Sequence, residues 1–549
     1  MKQLNNILLL FLFATSLIAQ NKEIKNVILL IPDGTSLASV STARWFQRYM
    51  NPEMIHLNID PYLCGTILTY CSNAPIGDSA PTTSCYMTGY PSITGYIATY
   101  PVADSLNDIV PMNPEKAYQP LMTLLEAARI AQSKSTGLVF TCEFPHATPA
   151  DCSAHSYDRN KYEWIAPQMV HNQIDVVIGG GVGILNDEYR QFLKNEGYGL
   201  FLNDITGFRN YPGDKMWALF ADKDMAYDID RDTAQEPSLA EMTKVAIDKL
   251  SHNKNGFFLM VEGSKVDWAA HANDARAIIS DMLAFDKACG EAFKFAEKDG
   301  ETLVVVVPDH GNSGISIGSN KCPGYSTLTK DQLFGNIAKF KTSADALVKI
   351  LHKTKPADLR QTFFNLTGIN LTKKDYKQIL KSGDYNLSSL SDEERMKGSR
   401  LTKEVAKILD NYTCFGFTTT GHTGEEVFLA VYDPRPEQRM TGFHTNIELN
   451  HYMRQAMGLE NKIEPLTDEY FAKHTDVFKG YPYAINLLNN TPVLKVKNKK
   501  TTLEVQPNTN IVKLNGKDLK LNSVVVYVDK NNTFYLPQSL RDLLEIKKK

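Results

Sequence analysis

The sequence predicts an α/β fold. It reads as a three-layer sandwich with a mostly parallel central sheet, an inserted, mainly helical cap segment and a small C-terminal β module. Three observations predict it. Short, nearly continuous apolar runs recur, each ending in a polar residue or glycine; helical patterns lie between them; and the pattern changes near residues 313 and 490. An unbroken apolar run marks a strand covered on both faces. Strand alternating with helix marks the α/β class. With 549 residues, 43% hydrophobic and 22% charged, the chain exceeds one average domain and can bury a large core. A net charge of −3 gives no reason to expect nucleic acid as a specific partner.

Residues 1–20 read as a secretory signal peptide: Met1-Lys2, then an apolar run from Ile7 to Leu17, then Ile18-Ala19-Gln20. The run is too short for a membrane span, and no later segment is long enough for one. The expected location is therefore the periplasm or the exterior. Residues 21–489 read as the catalytic domain. Strands are expected at Asn26–Ile31, Gly137–Phe140, Asp175–Ile178, Phe257–Val261 and Leu303–Val307, and helices at Leu121–Ala131, Leu239–Leu250 and Ala275–Glu297. An insertion at about 313–419 carries helical patterns at Ala344–Lys355 and Asp392–Asn411, after which a strand returns at Val427–Tyr432. Residues 490–549 form the β module. Its short strand candidates are Val493–Val496, Thr502–Val505, Ile511–Leu514 and Val524–Val528, with a hairpin-type turn at Asn515-Gly516. The Asn-Gly-Lys turn followed by Phe534-Tyr535-Leu536-Pro537 superficially resembles a copper-amine-oxidase-like N-terminal module. In an exported chain eight cysteines can pair. By proximity the plausible pairs are Cys64/Cys71 and Cys142/Cys152, while Cys85, Cys289, Cys322 and Cys414 have no evident partner.

The placement of the polar residues is informative. Asp33, Glu262, Asp309 and His310 each stand just past the carboxyl end of an apolar strand, the edge where open α/β sheets bind ligands. Asp267 and His271, four apart, lie on one face of a helical turn, a spacing that suits a zinc pair. Gly421-His422-Thr423-Gly424 adds a histidine in a loop of small residues. In Gly77-Asp78-Ser79-Ala80-Pro81 a serine follows an aspartate at an expected helix start. Such a serine becomes a nucleophile only where its surroundings activate it.

The ordered set Pro32-Asp33-Gly34, Asp78-Ser79-Ala80, His146-Ala147-Thr148-Pro149-Ala150, Val261-Glu262-Gly263, Asp267, His271, Asp309-His310-Gly311 and His422-Thr423-Gly424 resembles the alkaline phosphatases over about residues 25–485, leaving out the insertion. The resemblance implies a phosphoseryl intermediate on Ser79. It implies one Zn²⁺ at Asp33, Asp309 and His310, and a second at Asp267, His271 and His422. A third ion, usually Mg²⁺, falls to Asp33, Thr148 and Glu262. Arg159 matches the arginine that clamps two phosphate oxygens, and Asp78 would orient it. Small phosphomonoesters are the implied substrates. A phosphodiesterase, sulfatase or phosphomutase of the same superfamily is the alternative. The oligomeric state stays open, a homodimer included.

Two departures concern the third ion. His146 stands where some relatives have aspartate, and Trp268 where some have lysine. An imidazole at position 146 either joins the third ion's shell, where Zn²⁺ or Co²⁺ could replace Mg²⁺, or packs behind it. Pro81 is a third departure, expected to stiffen the loop beside the nucleophile. Thr82 and Thr83 are rival hydroxyls, and Ser79 is preferred because it directly follows the aspartate.

Overall fold

The computed structural model describes residues 24–381, 400–499 and 501–545. The expected signal peptide lies outside the described residues, as do residues 392–399 of the second helical pattern in the insertion. Among the described residues no helix is long and apolar enough to cross a membrane.

Ten strands form the main sheet: β1 (Asn26–Ile31), β2 (Leu63–Leu68), β3 (Ser135–Glu143), β4 (Val176–Gly180), β5 (Gly199–Leu202), β6 (Met216–Leu219), β7 (Phe257–Glu262), β8 (Thr302–Val306), β9 (Val427–Tyr432) and β10 (Gly442–Thr445). Their order is β10-β2-β9-β8-β1-β7-β3-β4-β6-β5. β9 alone runs against its neighbours β2 and β8; the other pairings are parallel. The continuous apolar runs have the expected cause. Every residue of β1, β7 and β8 is buried. Val27, Leu29 and Ile31 of β1 pack into one core cluster, and Ile28 and Leu30 into a second on the opposite face. Helices Leu124–Gln132 and Tyr162–His171 cover the first face; Leu239–Leu250 and Ala275–Asp299 cover the second. The result is the three-layer sandwich.

Element ends differ where local chemistry decides. The helix expected from Leu121 starts at Leu124, because Thr123 and Glu126 form a reciprocal capping box. β3 continues past Phe140 through Cys142 to Glu143. In the insertion, helices Ala344–His352, Leu359–Thr367, Lys373–Lys381 and Arg400–Asp410 share a core with Phe46 and Ile279 of the main domain.

The cysteine expectation is corrected. Cys322 and Cys414 form a disulfide across 92 residues, at the two ends of the insertion. Cys64, Cys71, Cys142 and Cys152 are free. Their thiols face other groups: Cys64 the Leu429 carbonyl at 3.5 Å and Cys71 that of Ile76 at 3.3 Å. Cys142 faces the Glu262 carboxylate at 3.3 Å, and Cys152 the Thr148 carbonyl at 3.6 Å.

At the C-terminus a five-strand antiparallel meander runs through Tyr483–Leu488, Thr491–Asn498, Thr501–Val505, Ile511–Leu514 and Lys517–Lys520. It begins ahead of the boundary at 490 that the composition suggests. Asn515 and Gly516 both have positive φ, 53° and 79°, as a two-residue hairpin of the primed type needs. The segment docks on the main domain. Val524, Val526 and Tyr535 join its core, and Asp529 accepts a hydrogen bond from Tyr157 at 2.7 Å.

Candidate metal centre and nucleophile

The polar residues singled out in the sequence converge on one rim of the sheet. Asp33 follows β1, Glu262 ends β7, and Asp309 and His310 follow β8. Ser79 opens the helix Ser79–Thr88, all ten of whose residues are buried. Its Oγ lies 3.5 Å from Asp33 Oδ1 and 3.4 Å from His310 Nε2. Asp78 occupies the N-cap position, yet its side chain does not cap the helix. It instead accepts from Arg159 Nη1, at 3.1 Å on Oδ1 and 3.3 Å on Oδ2. Pro81 falls in the first helical turn, where its missing N–H costs no helix hydrogen bond. The Thr82 hydroxyl donates back to the Asp78 carbonyl at 2.7 Å.

Three histidines present Nε2 to the rim because each Nδ1 meets a main-chain carbonyl. These are Thr420 for His271 (2.7 Å), Gly77 for His422 (2.9 Å) and Gly311 for His310 (3.1 Å). A carbonyl only accepts, so each Nδ1 carries a hydrogen and the neutral ring keeps a lone pair on Nε2. The Nε2 atoms of His271 and His422 then face each other at 3.2 Å. With both rings neutral the two lone pairs cannot bond each other, so the pair is bridged either by one proton held on His271 or by a shared cation. Asp267 stands beside both, 3.4 Å from His271 Nε2 and 3.7 Å from His422 Nε2. Gly311–Asn312 pairs with His422–Thr423 as a short antiparallel ladder, which stacks the rings of His310 and His422 at 3.7 Å. His310 Nε2 lies 3.5 Å from Asp33 and 3.4 Å from Asp309.

The buried acids of the rim are costly to ionise side by side unless protons or cations neutralise them. Burial raises Asp33 well above the usual carboxylate range, and Asp309, Asp267 and Glu262 add to it. Burial likewise raises Asp309, and brings Glu262 to about 7. Burial also acts to raise Asp267, but the His271, His422 and His310 imidazoles outweigh it and hold this carboxyl well below its ordinary value. Burial would lower His271; the Asp267 charge overcomes this and lifts it to about 9. His422 falls to about 4 through burial and the His310 charge. Asp33 Oδ2, Asp309 Oδ2, Glu262 Oε1 and Thr148 Oγ1 are buried and make no hydrogen bond. Unpaired buried oxygens are costly, and divalent ions would satisfy them. The donor sets fit. Asp33, Asp309 and His310 lie within mutual ligand distance, and so do Asp267, His310 and His422, so His310 sits between the two sets. Carboxylate and imidazole together suit Zn²⁺.

Three residues contribute in ways the sequence does not assign to them. Asn312 Nδ2 donates to Asp267 Oδ1 at 2.7 Å and fixes that carboxylate; its place two residues beyond His310 is the only signal. Gly34 has φ of +59°, and a Cβ there would come within 2.2 Å of Asp267 Oδ1. Cys142 joins His146 and Glu262 in a third group of possible ligands. His146 packs edge-on to Trp268 at 5.7 Å and accepts from Arg159 Nη2 at 3.3 Å through Nε2.

A three-histidine, multi-carboxylate rim beside a buried serine at a helix start, on an α/β sandwich, defines a metal-dependent hydrolase. A sequence model of the alkaline phosphatase family matches residues 24–459. Alkaline phosphatase 3 of Bacillus subtilis is 32% identical over 457 residues, covering 80% of this chain and 90% of that protein. The crystal structure of a cold-active alkaline phosphatase from a psychrophilic Shewanella superposes with a TM-score of 0.66 at 26% identity, over 80% of this chain and 100% of that one. Alkaline phosphatase of the Antarctic bacterium TAB5, with one histidine changed to glutamate and magnesium bound in its M3 site, gives a TM-score of 0.53 at 25% identity, over 80% of this chain and 99% of that one. This chain belongs to the alkaline phosphatase family, a family of phosphoric monoester hydrolases.

Proposed function

We propose that the protein is an exported alkaline phosphatase that hydrolyses small phosphate monoesters through a phosphoseryl intermediate on Ser79. The observation that carries this is the position of Ser79 Oγ, 3.5 Å from Asp33 Oδ1 and 3.4 Å from His310 Nε2, within a potential metal set. The serine also begins a ten-residue helix, whose N-terminal amides favour a phosphate.

Asp33, Asp309 and His310 would hold one Zn²⁺, and Asp267, His271 and His422 the second. Asp33, Thr148 and Glu262 would hold a third divalent ion, Mg²⁺ in the family pattern. When bound, these ions supply Lewis-acid stabilisation of the attacking and leaving oxygens and lower the pKa of a bound hydroxyl. The chain does the rest. Ser79 Oγ, freed of its proton to solvent, bonds to phosphorus as the ester oxygen leaves, and water then releases phosphate and restores the hydroxyl. Arg159 presents a planar pair of donors to two phosphate oxygens. Asp78 holds that guanidinium in place, and its own carboxyl stays low because Arg159, with His422, outweighs the effect of burial. Thr82 is tied to the Asp78 carbonyl; Thr83 Oγ1 makes no hydrogen bond, and Ser79 Oγ is the hydroxyl set against Asp33 and His310.

The test compares the native protein and Ser79→Ala on a phosphate monoester and a phosphate diester, with acid-trapped phosphoenzyme as a second readout. Monoester preference with a trapped phosphoserine is expected, and loss of both the adduct and most turnover in the variant. A diester preference, or an unchanged rate in Ser79→Ala, refutes the reading.

A further inference from the structure

The third metal group holds a residue that the site readings above do not assign. Because β3 runs on past Val139, which pairs with Val261 of β7, Cys142 reaches the level of Glu262 at the rim. Its Sγ donates to Glu262 Oε2 at 3.3 Å. Cys142, His146 and Glu262 each offer a ligand atom, and the three atoms lie within 4.8 Å of one another. All three residues are buried, at 0%, 3% and 0% exposure. Glu262 Oε1, Thr148 Oγ1 and His146 Nδ1 are buried there with no hydrogen-bond partner; because His146 Nε2 accepts from Arg159, Nδ1 carries the ring hydrogen, and ligation through Nδ1 moves that hydrogen to Nε2 and releases the Arg159 contact.

We propose that the third metal site of this chain takes Zn²⁺ through a Cys142 thiolate, with Glu262 and His146 completing a sulfur, oxygen and nitrogen donor set. The inference deepens the phosphatase reading and rests on it. Mg²⁺ requires near-octahedral oxygen coordination and retains several waters. A sulfur and an imidazole at this site remove two oxygen corners and favour a softer ion. Binding is balanced simply. The Cys142 S–H gives its proton to solvent as the metal–sulfur bond forms, so this ligand releases one proton per ion bound. Glu262 Oε2, now accepting that proton, becomes free to ligate as well. Cys152 is the internal control. It is equally buried, but its thiol turns to the Thr148 carbonyl at 3.6 Å rather than to a carboxylate.

The experiment uses the full chain, stripped with chelator and titrated with Co²⁺ alone. A thiolate-to-cobalt charge-transfer band in the near ultraviolet is expected, retained in Cys152→Ser and lost in Cys142→Ser. After dialysis against Zn²⁺ with excess Mg²⁺, elemental analysis should find three zinc ions per native chain. Cys142→Ser should hold two zinc ions and one magnesium. X-ray absorption of zinc-loaded native protein, which needs no variant to fold, should show a sulfur scatterer at about 2.3 Å. Absence of that scatterer, or a cobalt band that survives in Cys142→Ser, overturns the proposal. Failure of the phosphatase reading is distinct: it would appear as no phosphate release from a fully metallated protein, whatever the spectra show.

Discussion

Replacing Glu262 by glutamine should make the metal-free protein more stable at alkaline pH and leave it nearly unchanged in acid. Burial raises the Glu262 carboxyl from 4.5 to about 7; Asp309 adds to the rise, and hydrogen bonds from Ser264 and Cys142 offset only part of it. The folded chain therefore binds this proton more tightly than the unfolded chain. Below about pH 4.5 both states are protonated and the group is neutral to stability. Between 4.5 and about 7 the unfolded chain ionises first, and stability falls as pH rises. Above about 7 the folded chain carries the whole cost of a buried, unpaired charge. At about 1.4 kcal/mol per pH unit the interval amounts to roughly 3 kcal/mol. Glutamine keeps the shape and does not titrate. Urea unfolding of both proteins in EDTA, at pH 4.5 and pH 8, reads the difference, because titrating groups remote from Glu262 cancel and the relief of Asp33, to whose rise Glu262 adds, acts in the same direction. The gap between variant and native protein should move by about 3 kcal/mol in favour of the variant. A gap that stays constant between the two pH values refutes the reasoning. Divalent metal should then restore the native protein at pH 8 by more than it restores the variant.

Chelation with EDTA should abolish phosphate release and added Zn²⁺ should restore it; full activity in a sample shown to be metal-free by elemental analysis would contradict the rim described above. Arg159→Ala removes charge-assisted contacts worth about 1.5–3 kcal/mol, so kcat/KM for a monoester should drop by roughly 10- to 150-fold and inhibition by inorganic phosphate should weaken in parallel. Phosphate inhibition equal to that of the native enzyme would remove Arg159 from the binding site. Cys322→Ser opens a loop closed across 92 residues. Chain entropy puts that at roughly 4–5 kcal/mol, so limited proteolysis within the insertion should accelerate, and equal cleavage rates would count against a stabilising disulfide.

Much of the sheet was legible because both faces of its central strands are covered. Asn26–Ile31 and Phe257–Glu262 could show no polar alternation, and their sequences show none. The same rule exposed Asp33, Glu262, Asp309 and His310, which interrupt apolar runs at strand ends. What remained hidden depends on distance in sequence. Cys322 and Cys414 meet because the insertion leaves and re-enters the main domain at neighbouring points, which no spacing rule conveys. Cys142 and Cys152 are close in sequence, but one thiol points to Glu262 and the other to the Thr148 carbonyl. The meander's outer strands, Tyr483–Leu488 and Lys517–Lys520, are largely exposed and carry no clean alternation, so only pairing with their neighbours reveals them.

The direction of β9 explains why His422 could be recognised by its motif and not by strand logic. Asp33, Glu262 and Asp309 reach the rim by following parallel strands outward. His422 precedes β9 in the chain, and a residue ahead of a parallel strand would fall on the far side of the sheet. β9 is antiparallel to β8 and β2, so its beginning lies level with their ends. The short ladder of His422–Thr423 with Gly311–Asn312 then fixes the approach, stacking His422 on His310. β2 is antiparallel to β9 and therefore parallel to β8, which delivers the following segment, Gly77 to Ser79, to the same rim. There the Gly77 carbonyl takes the His422 Nδ1 hydrogen at 2.9 Å, two residues before Ser79. One reversed strand thus accounts for two features at once: the arrival of His422 beside His271 and Asp267, and its anchoring to the loop that carries Ser79. Any change that shifts β9 in register should displace the imidazole and the serine together, because the His422 side chain is hydrogen-bonded to the Gly77 carbonyl two residues before Ser79.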